Sequence, residues 1–418
     1  MPTDLQLHIE NMRVVDTHEH LHSEQRYLAN PPDILQSIFD NYVVHDLVSA
    51  GAPRAAVDRL LDKSDTDIAA RFEGVAAFWE RCRLTGYGEA AASIAWQAYG
   101  VRQLTGAALA QAQSRLSTEA RPGTRLRVLR DTARLHSVQI DDFCWKCEED
   151  ASGPGFFLYD LSWCDLACGQ VDVVALEHET GIPVNDLASL EAAAEGLFSR
   201  YASAAVAVKT QHAYRRTLLW QPRERAEADA ALGRILTGVA VAGDQLVLGD
   251  AMLARGAELA AQYKLPLKIH TGYYAGNGPM PMEWIEPQGL WQLVAEHPET
   301  DFVLMHTGWP YTEELVALVK HMPNAWADFC WAWSINPYRT RDVARSLLHS
   351  VPLNKVLGFG GDAWWPQASA AYARQARREL EGVLSLEQET GFITEKQATT
   401  IADRWLFQNA IDLFRLTP

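Results

Sequence analysis

The chain has 418 residues, of which 48% are hydrophobic and 22% charged, with a formal net charge of −16. That is the composition of a water-soluble globular protein able to bury a large core, and α/β barrels reach this length as single domains. The acidity argues against nucleic acid or an anionic membrane as a partner, because phosphates are repelled on average, but it leaves open a small anionic substrate held by a local arginine or metal.

The first apolar run, Arg13–Thr17, reads as a strand that leads into His18-Glu19-His20. Alternate side chains of a strand share a face, so His18 and His20 can aim two imidazoles at one point, the beginning of a metal site. Asp16 falls on the same face and is placed to orient His18. The next segment, Ser23–Arg125, is about a hundred residues and far too long for a βα connection. Its pattern is helical over Pro32–Ser49, Arg54–Lys63, Ile68–Thr85, Ala90–Val101 and Thr105–Ser117. Leaving strand one at the catalytic end, residues 23–125 are expected to form a helical cap over the pocket, within a single unit spanning 1–418. A role in subunit contacts is compatible with that.

Further strand-like runs follow at Ser137–Asp142, Phe156–Leu161, Ala204–Lys209, Leu265–His270, Phe302–His306, Ala325–Phe329 and Lys355–Gly360. They alternate with helical stretches at Leu187–Tyr201, Gly249–Tyr263, Pro287–Glu296, Glu313–His321 and Arg341–Ser350, and a last helix covers Thr394–Leu416. Strands alternating with helices call for a parallel sheet, and eight such strands close a (β/α)8 barrel. The open doubly wound alternative lacks its glycine-rich phosphate turn here.

In a barrel the strand C-termini converge on one mouth. His270, His306 and Asp362 each end or follow an apolar run, so all three are expected to meet His18 and His20 there. Lys209 ends the fourth strand. The expected rim is aromatic, with Trp309, Trp331 and Trp364 as candidate substrate contacts, and Arg215, followed by Arg216, is suited to a substrate carboxylate. The spacing of Cys144, Cys147, Cys164 and Cys168 approaches a four-thiolate zinc site, but the apolar run Phe156–Tyr159 between the pairs favours reduced thiols in a pocket or core.

The motifs Val15-Asp16-Thr17-His18-Glu19-His20, Lys268-Ile269-His270-Thr271-Gly272, Leu304-Met305-His306-Thr307-Gly308-Trp309-Pro310 and Phe359-Gly360-Gly361-Asp362 resemble those of the amidohydrolase superfamily, in its amidohydrolase-related branch. The segment Lys209–Arg215 is similar to one in the amidohydrolase-like half of nodulin–glutamine synthetase fusions. Uronate isomerases and metal-dependent decarboxylases are more distant likenesses. The resemblance implies a distorted (β/α)8 TIM barrel with one Zn2+ held by His18, His20, His270 and Asp362. It leaves open Mn2+, or a second ion bridged by a carboxylated Lys209. Asp362 would act as general base, His306 would polarise the substrate, stabilise developing negative charge or bind a second ion, and Lys209 would bridge metals or hold an oxyanion. The implied reaction is hydrolysis of an amide, lactone or related bond of a small carboxylate-bearing or aromatic substrate. The alternative is a uronate-isomerase-like proton shift or a nonoxidative decarboxylation on the same site.

Residues 1–4 lack the basic and apolar regions of a signal peptide, and no stretch approaches the roughly twenty apolar residues of a membrane span. The expectation is therefore a cytoplasmic homo-oligomer that acts on a small molecule.

Overall fold

The computed structural model describes residues 3–116 and 121–418. Eight parallel strands lie in sequence order: β1 (Val14–Glu19), β2 (Leu135–Ile140), β3 (Phe157–Ser162), β4 (Ala205–Thr210), β5 (Leu267–Ile269), β6 (Phe302–Leu304), β7 (Ala325–Asp328) and β8 (Val356–Leu357). Each pairs in parallel with the next. Backbone bonds from Thr17 N to Phe359 O (3.0 Å), Asp362 N to His18 O (2.9 Å) and His20 N to Ala363 O (3.0 Å) bring the end of β8 back to β1. The fold is the expected TIM barrel. Its strands are buried almost throughout, as runs such as Val14-Val15 and Val206-Ala207-Val208 require when helices cover the outer face.

The strands begin near where the apolar runs begin, but several stop early. β5 ends at Ile269, β6 at Leu304 and β8 at Leu357, whereas the runs continue to His270, His306 and Gly360. The residues beyond leave the ladder: His306, Thr307 and Asp362 have φ of 63°, 52° and 55°. The left-handed turn, rather than the strand, aims these side chains.

The described residues between 23 and 125 are largely helical, as the periodicity predicts, but two expected helices are each broken, and the end of the expected helix Thr105–Ser117 lies outside the described residues. Pro32–Ser49 becomes Ile34–Phe39 and Val43–Ser49, because Asn41 turns its side chain back to accept from Val43 N (3.1 Å). Ile68–Thr85 becomes Ile68–Glu73 and Ala76–Cys82, parted at Gly74. The longest helix among the described residues, Pro366–Glu389, starts on a proline suited to a first helical turn and has no counterpart among the helices expected from the sequence. It packs on both the barrel and the insertion. Gln375 donates to Gly86 O (2.8 Å) and accepts from Ser334 Oγ (2.8 Å).

Under the mouth the barrel axis is polar. Lys268 Nζ donates to Thr17 O (2.7 Å) and Asp160 Oδ2 (2.8 Å), and both charged side chains are fully buried. The lysine also counters Asp160: burial pushes that carboxyl up, but Lys268 and His18 hold it below the ordinary value.

Candidate metal centre and pocket

The end of β1 carries His18 and His20, and the turn after β8 carries Asp362. Their imidazole Nε2 atoms each lie 3.3 Å from Asp362 Oδ1. The His20 ring is oriented by its Nδ1, 2.7 Å from Asp141 O. A carbonyl can only accept, so Nδ1 carries the proton and Nε2 presents a lone pair to the carboxylate. Two lone pairs facing at that distance require a proton or a cation between them. His18, His20 and Asp362 thus form a compact three-donor group that fits a divalent ion. Charge agrees with this. Burial pushes Asp362 up, yet contact with His18 and His20 holds it well below the ordinary carboxylate range; burial pushes His20 down, yet Asp362 raises it.

Asp16 acts differently from expectation. Its Oδ1 accepts from the backbone N–H of His18 and of Gly361, both at 3.2 Å, so it holds the two chain segments rather than the imidazole. The carboxylate near the His18 ring is Asp160, with Oδ2 3.9 Å from Nδ1. Burial raises Asp16 to about 7, and burial with the nearby Asp16 charge raises Glu19 well above the ordinary carboxylate range. Glu19 Oε2 in turn accepts from Ala363 N (2.5 Å).

His270 lines the same cavity but stands outside the compact group. Its Nε2 faces Tyr273 O at 3.1 Å and its ring packs on His306 at 4.3 Å. His306 is fully buried, its Nδ1 donates to Cys330 O (3.0 Å), and its Nε2 has no hydrogen-bond partner. Burial lowers His306 to about 3 and, aided by His306 and Lys209, lowers His270 well below its usual value, so both rings are neutral. Lys209 is buried, with Nζ 3.5 Å from Thr210 O and 3.4 Å from Gln211 Oε1.

The cavity over this cluster has a volume of about 560 Å3, within the range of small-molecule sites. One wall is aromatic: Trp364 and Phe143 both stack on His20, at 4.9 and 4.7 Å. The other is polar, with Gln211, Ser162, Asp165 and Arg215. Arg215 Nη1 meets Asp165 Oδ1 at 2.5 Å and is half-exposed, so it is at the rim. Arg216 turns inward to Asp250 at 2.6 Å and is structural. Trp331 is buried behind the cavity against Tyr42 and His306, and Trp309 packs on Tyr273. Neither lines the pocket.

Tyr42, Phe143 and Tyr214 were not singled out from the sequence. Tyr42 comes from the insertion, and its hydroxyl donates to Asp362 O (2.5 Å). Its distance in sequence hides it. Tyr214, five residues after Lys209, carried a usable signal. The four cysteines do not gather. Cys164 and Cys168 are neighbours, Cys144 and Cys147 contact carbonyls of their own turn, and no four-cysteine group occurs among the described residues.

The family model described as Amidohydrolase matches residues 174–416, from the helix Val173–Thr180 after β3 to the C-terminal helices. The chain belongs to the amidohydrolase family. Protein fluG of Emericella nidulans is 32% identical over 177 residues, which cover 41% of this chain and 20% of that protein. The chain therefore matches about a fifth of the length of this curated relative. Among solved structures, uronate isomerase from Thermotoga maritima aligns with a TM-score of 0.83 at 14% identity, over 98% of this chain and 96% of the other. Glucuronate isomerase from Caulobacter crescentus aligns with a TM-score of 0.77 at 15% identity, over 100% and 96%. At such identities the likeness is one of fold, and it takes in the insertion as well as the barrel.

Proposed function

We propose that this amidohydrolase is a metal-dependent hydrolase that cleaves an amide, lactone or related bond of a small carboxylate-bearing substrate. The observation that carries the reading is the convergence of His18 Nε2 and His20 Nε2 on Asp362 Oδ1, each at 3.3 Å, in the lining of the cavity. His18, His20 and Asp362, with His270 beside them, would hold a divalent ion, which would supply Lewis acidity and lower the pKa of water there. Zinc suits this nitrogen and carboxylate set, and Mn2+ is the alternative.

Asp362 is the proton acceptor: ionised, buried, and held by its contacts with His18 and His20. It takes the proton of the attacking water and returns it to the leaving group. Of the roles expected for His306, a lone pair on Nε2, left when Nδ1 donates to Cys330 O, suits a cation better than an oxyanion. The oxyanion donor on this reading is Tyr214, whose hydroxyl oxygen accepts from Ala275 N (3.1 Å) and keeps its own proton for the cavity. Arg215 at the rim takes the substrate carboxylate, exchanging Asp165 for it. The aromatic wall of Phe143 and Trp364 covers a flat or ring-shaped body.

A second reading, isomerisation of a uronate-like sugar acid, is favoured by the whole-chain likeness to two uronate isomerases. It uses the same Asp362 to move a proton between adjacent carbons. The experiment is to load the purified protein with Zn2+ or Mn2+ and offer two panels, carboxylate-bearing amides and lactones, and open-chain uronates. Metal-dependent turnover of the first panel supports the hydrolase. Turnover confined to uronates replaces it with the isomerase. A His18→Ala/His20→Ala variant that keeps full metal content would sink both.

A further inference from the structure

We propose that a cavity at the opposite end of the barrel from the mouth binds a small phosphate ester, with the phosphate on Arg134 and Arg374 beside Arg377 and the ester's hydroxyl or amino donors on Glu10 and Glu381. The cavity has a volume of about 420 Å3, within the range of small-molecule sites. Its walls are the helix Asp4–Asn11, which leads into β1, residues 132–134, which lead into β2, and the helix Pro366–Glu389. Strand starts lie at the face away from a barrel's catalytic end, so this cavity is separate from His18, His20 and Asp362.

The chain carries 37 Lys and Arg against 53 Asp and Glu, yet four arginines line this cavity against two glutamates. Three of the four share one stripe: Arg374, Arg377 and Arg378 stand at i, i+3 and i+4 of Pro366–Glu389, with Glu381 at i+7. Arg378 is already paired, with Glu89 and Glu379. Arg134, Arg374 and Arg377 have no ion pair among the described residues. The Arg377 guanidinium is spent on four carbonyls, Ile9 O (2.5 Å), Met12 O (3.0 Å), Ala133 O (3.2 Å) and Arg134 O (3.4 Å). Its hydrogen bonds are met but its charge is not. Burial and the Arg134 charge push it down to about 10, and Glu10 opposes them only in part. Burial pushes Arg374 down as well. Arg374 Nη2 reaches Ser93 Oγ at 3.4 Å, and its Nε is buried without a hydrogen-bond partner. A buried donor left unmet beside uncompensated positive charge points to an anion as the occupant.

Phosphate answers this set because its oxygens accept from more than one guanidinium at once, in the paired geometry that arginine favours. The glutamates select the rest of the molecule. A carboxylate only accepts, so it repels a bare anion and takes hydroxyl or amino donors. Glu10 Oε1 accepts from Gln6 Nε2 (2.9 Å) and Glu381 Oε1 from Ser385 Oγ (2.9 Å), which leaves each a second oxygen for a ligand. A sugar phosphate or a nucleoside monophosphate carries both kinds of group. Binding makes and breaks no covalent bond.

The experiment is calorimetric titration of the purified full chain at low salt with glucose 6-phosphate, AMP and inorganic phosphate. It compares wild type with Arg134→Gln/Arg374→Gln and with Arg215→Gln, which alters the mouth instead. An ester is expected to bind wild type and Arg215→Gln alike, at about one per chain, and the double variant about ten- to a hundredfold more weakly. Weaker binding of inorganic phosphate supports the ester; equal binding overturns it in favour of free phosphate. Binding that the double variant keeps in full, or that only Arg215→Gln loses, belongs to the mouth and overturns the site. Absence of binding by both esters at millimolar concentration also overturns it, and a changed oligomeric state of the double variant would then assign the cavity to an acidic segment of a second copy. If the double variant fails to fold by circular dichroism, phenylglyoxal labelling of wild type decides. Shielding of Arg134 by an ester supports the site, and undiminished labelling refutes it.

Discussion

Asp362 owes its aim to a backbone conformation that few residues adopt. At φ 55° a residue other than glycine carries strain of about 1–3 kcal/mol. The strain is met by its own N–H on His18 O and by Tyr42 on its carbonyl. Asparagine tolerates the left-handed region well, so Asp362→Asn keeps the turn and one ligand oxygen while removing the basicity. The expected outcome is appreciable metal retention with turnover lower by roughly two to four orders of magnitude, the worth of general acid–base catalysis. Metal analysis and kinetics on one preparation check it, and near-native turnover at full loading would remove the proton-transfer role. His18, His20 and Asp362 were legible because each closes or follows an apolar run. Cys330, whose carbonyl fixes the His306 ring, was not, since nothing in the run Ala325–Phe329 marks the residue after it as facing inward. Nor was Asp160, a lone carboxylate inside an apolar strand whose partner Lys268 lies 108 residues away.

At the level of elements, β1 and the turn after β8 meet through two carboxylates and two glycines. A Cβ on Gly361 would lie 2.0 Å from Glu19 Oε1, and the same Glu19 accepts from Ala363 N. Gly361→Ala must therefore displace a buried side chain, at a cost of about 1–3 kcal/mol, and should also weaken metal binding through Asp362. Gly278→Ala, whose Cβ meets nothing within 4 Å, is the control and should leave the denaturation midpoint unchanged. Another junction gives a pH test. Asp244 opens the helix Asp244–Tyr263 and pairs with Arg234 at the end of Arg225–Leu236, with contacts of 2.7 and 3.0 Å. Bonds from Arg234 and from Val241 N hold its carboxyl down at about 2, against an ordinary 3.8. A carboxyl depressed by folding stabilises fully above its unfolded pKa and loses that contribution as pH falls through the folded one. Asp244→Asn should therefore flatten the acid side of the stability profile between roughly pH 4 and 2, where wild type declines. A profile parallel to wild type in that window would show that the pair contributes nothing. Element starts were readable from apolar runs. Their ends were not, because a strand that stops at Leu304 and one that runs to His306 have the same hydrophobic pattern.

Over the whole molecule, eight apolar runs separated by helical periodicity were enough to read the barrel and its closure. The position of residues 23–125 over the mouth was expected from their place after strand one, but the contacts that dock them were not readable, because they join segments remote in sequence. Trp365 Nε1 donates to Asp40 Oδ2 at 2.8 Å, Tyr42 reaches Asp362 and packs on Trp331, and His45 and Ser49 meet Asn277 beyond β5. The insertion thus touches the mouth side of β5, β7 and β8, and the helix Pro366–Glu389 binds it to the barrel wall.

This arrangement predicts that the insertion is part of the core and not an appendage. Replacing residues 23–125 by a short Gly/Ser linker uncovers Trp331, Trp365 and Tyr372, all buried in the intact chain. Exposing on the order of 500 Å2 of apolar surface forfeits about 12 kcal/mol, which matches the whole net stability of a typical domain at about 5–15 kcal/mol. The shortened chain should accumulate as aggregate, and any soluble fraction should keep helical far-ultraviolet dichroism while losing the near-ultraviolet signal of its packed tryptophans. A soluble, cooperatively unfolding barrel that still binds metal through His18, His20 and Asp362 would contradict this. It would mean that Tyr42 and its neighbours shape the pocket without holding up the barrel beneath it.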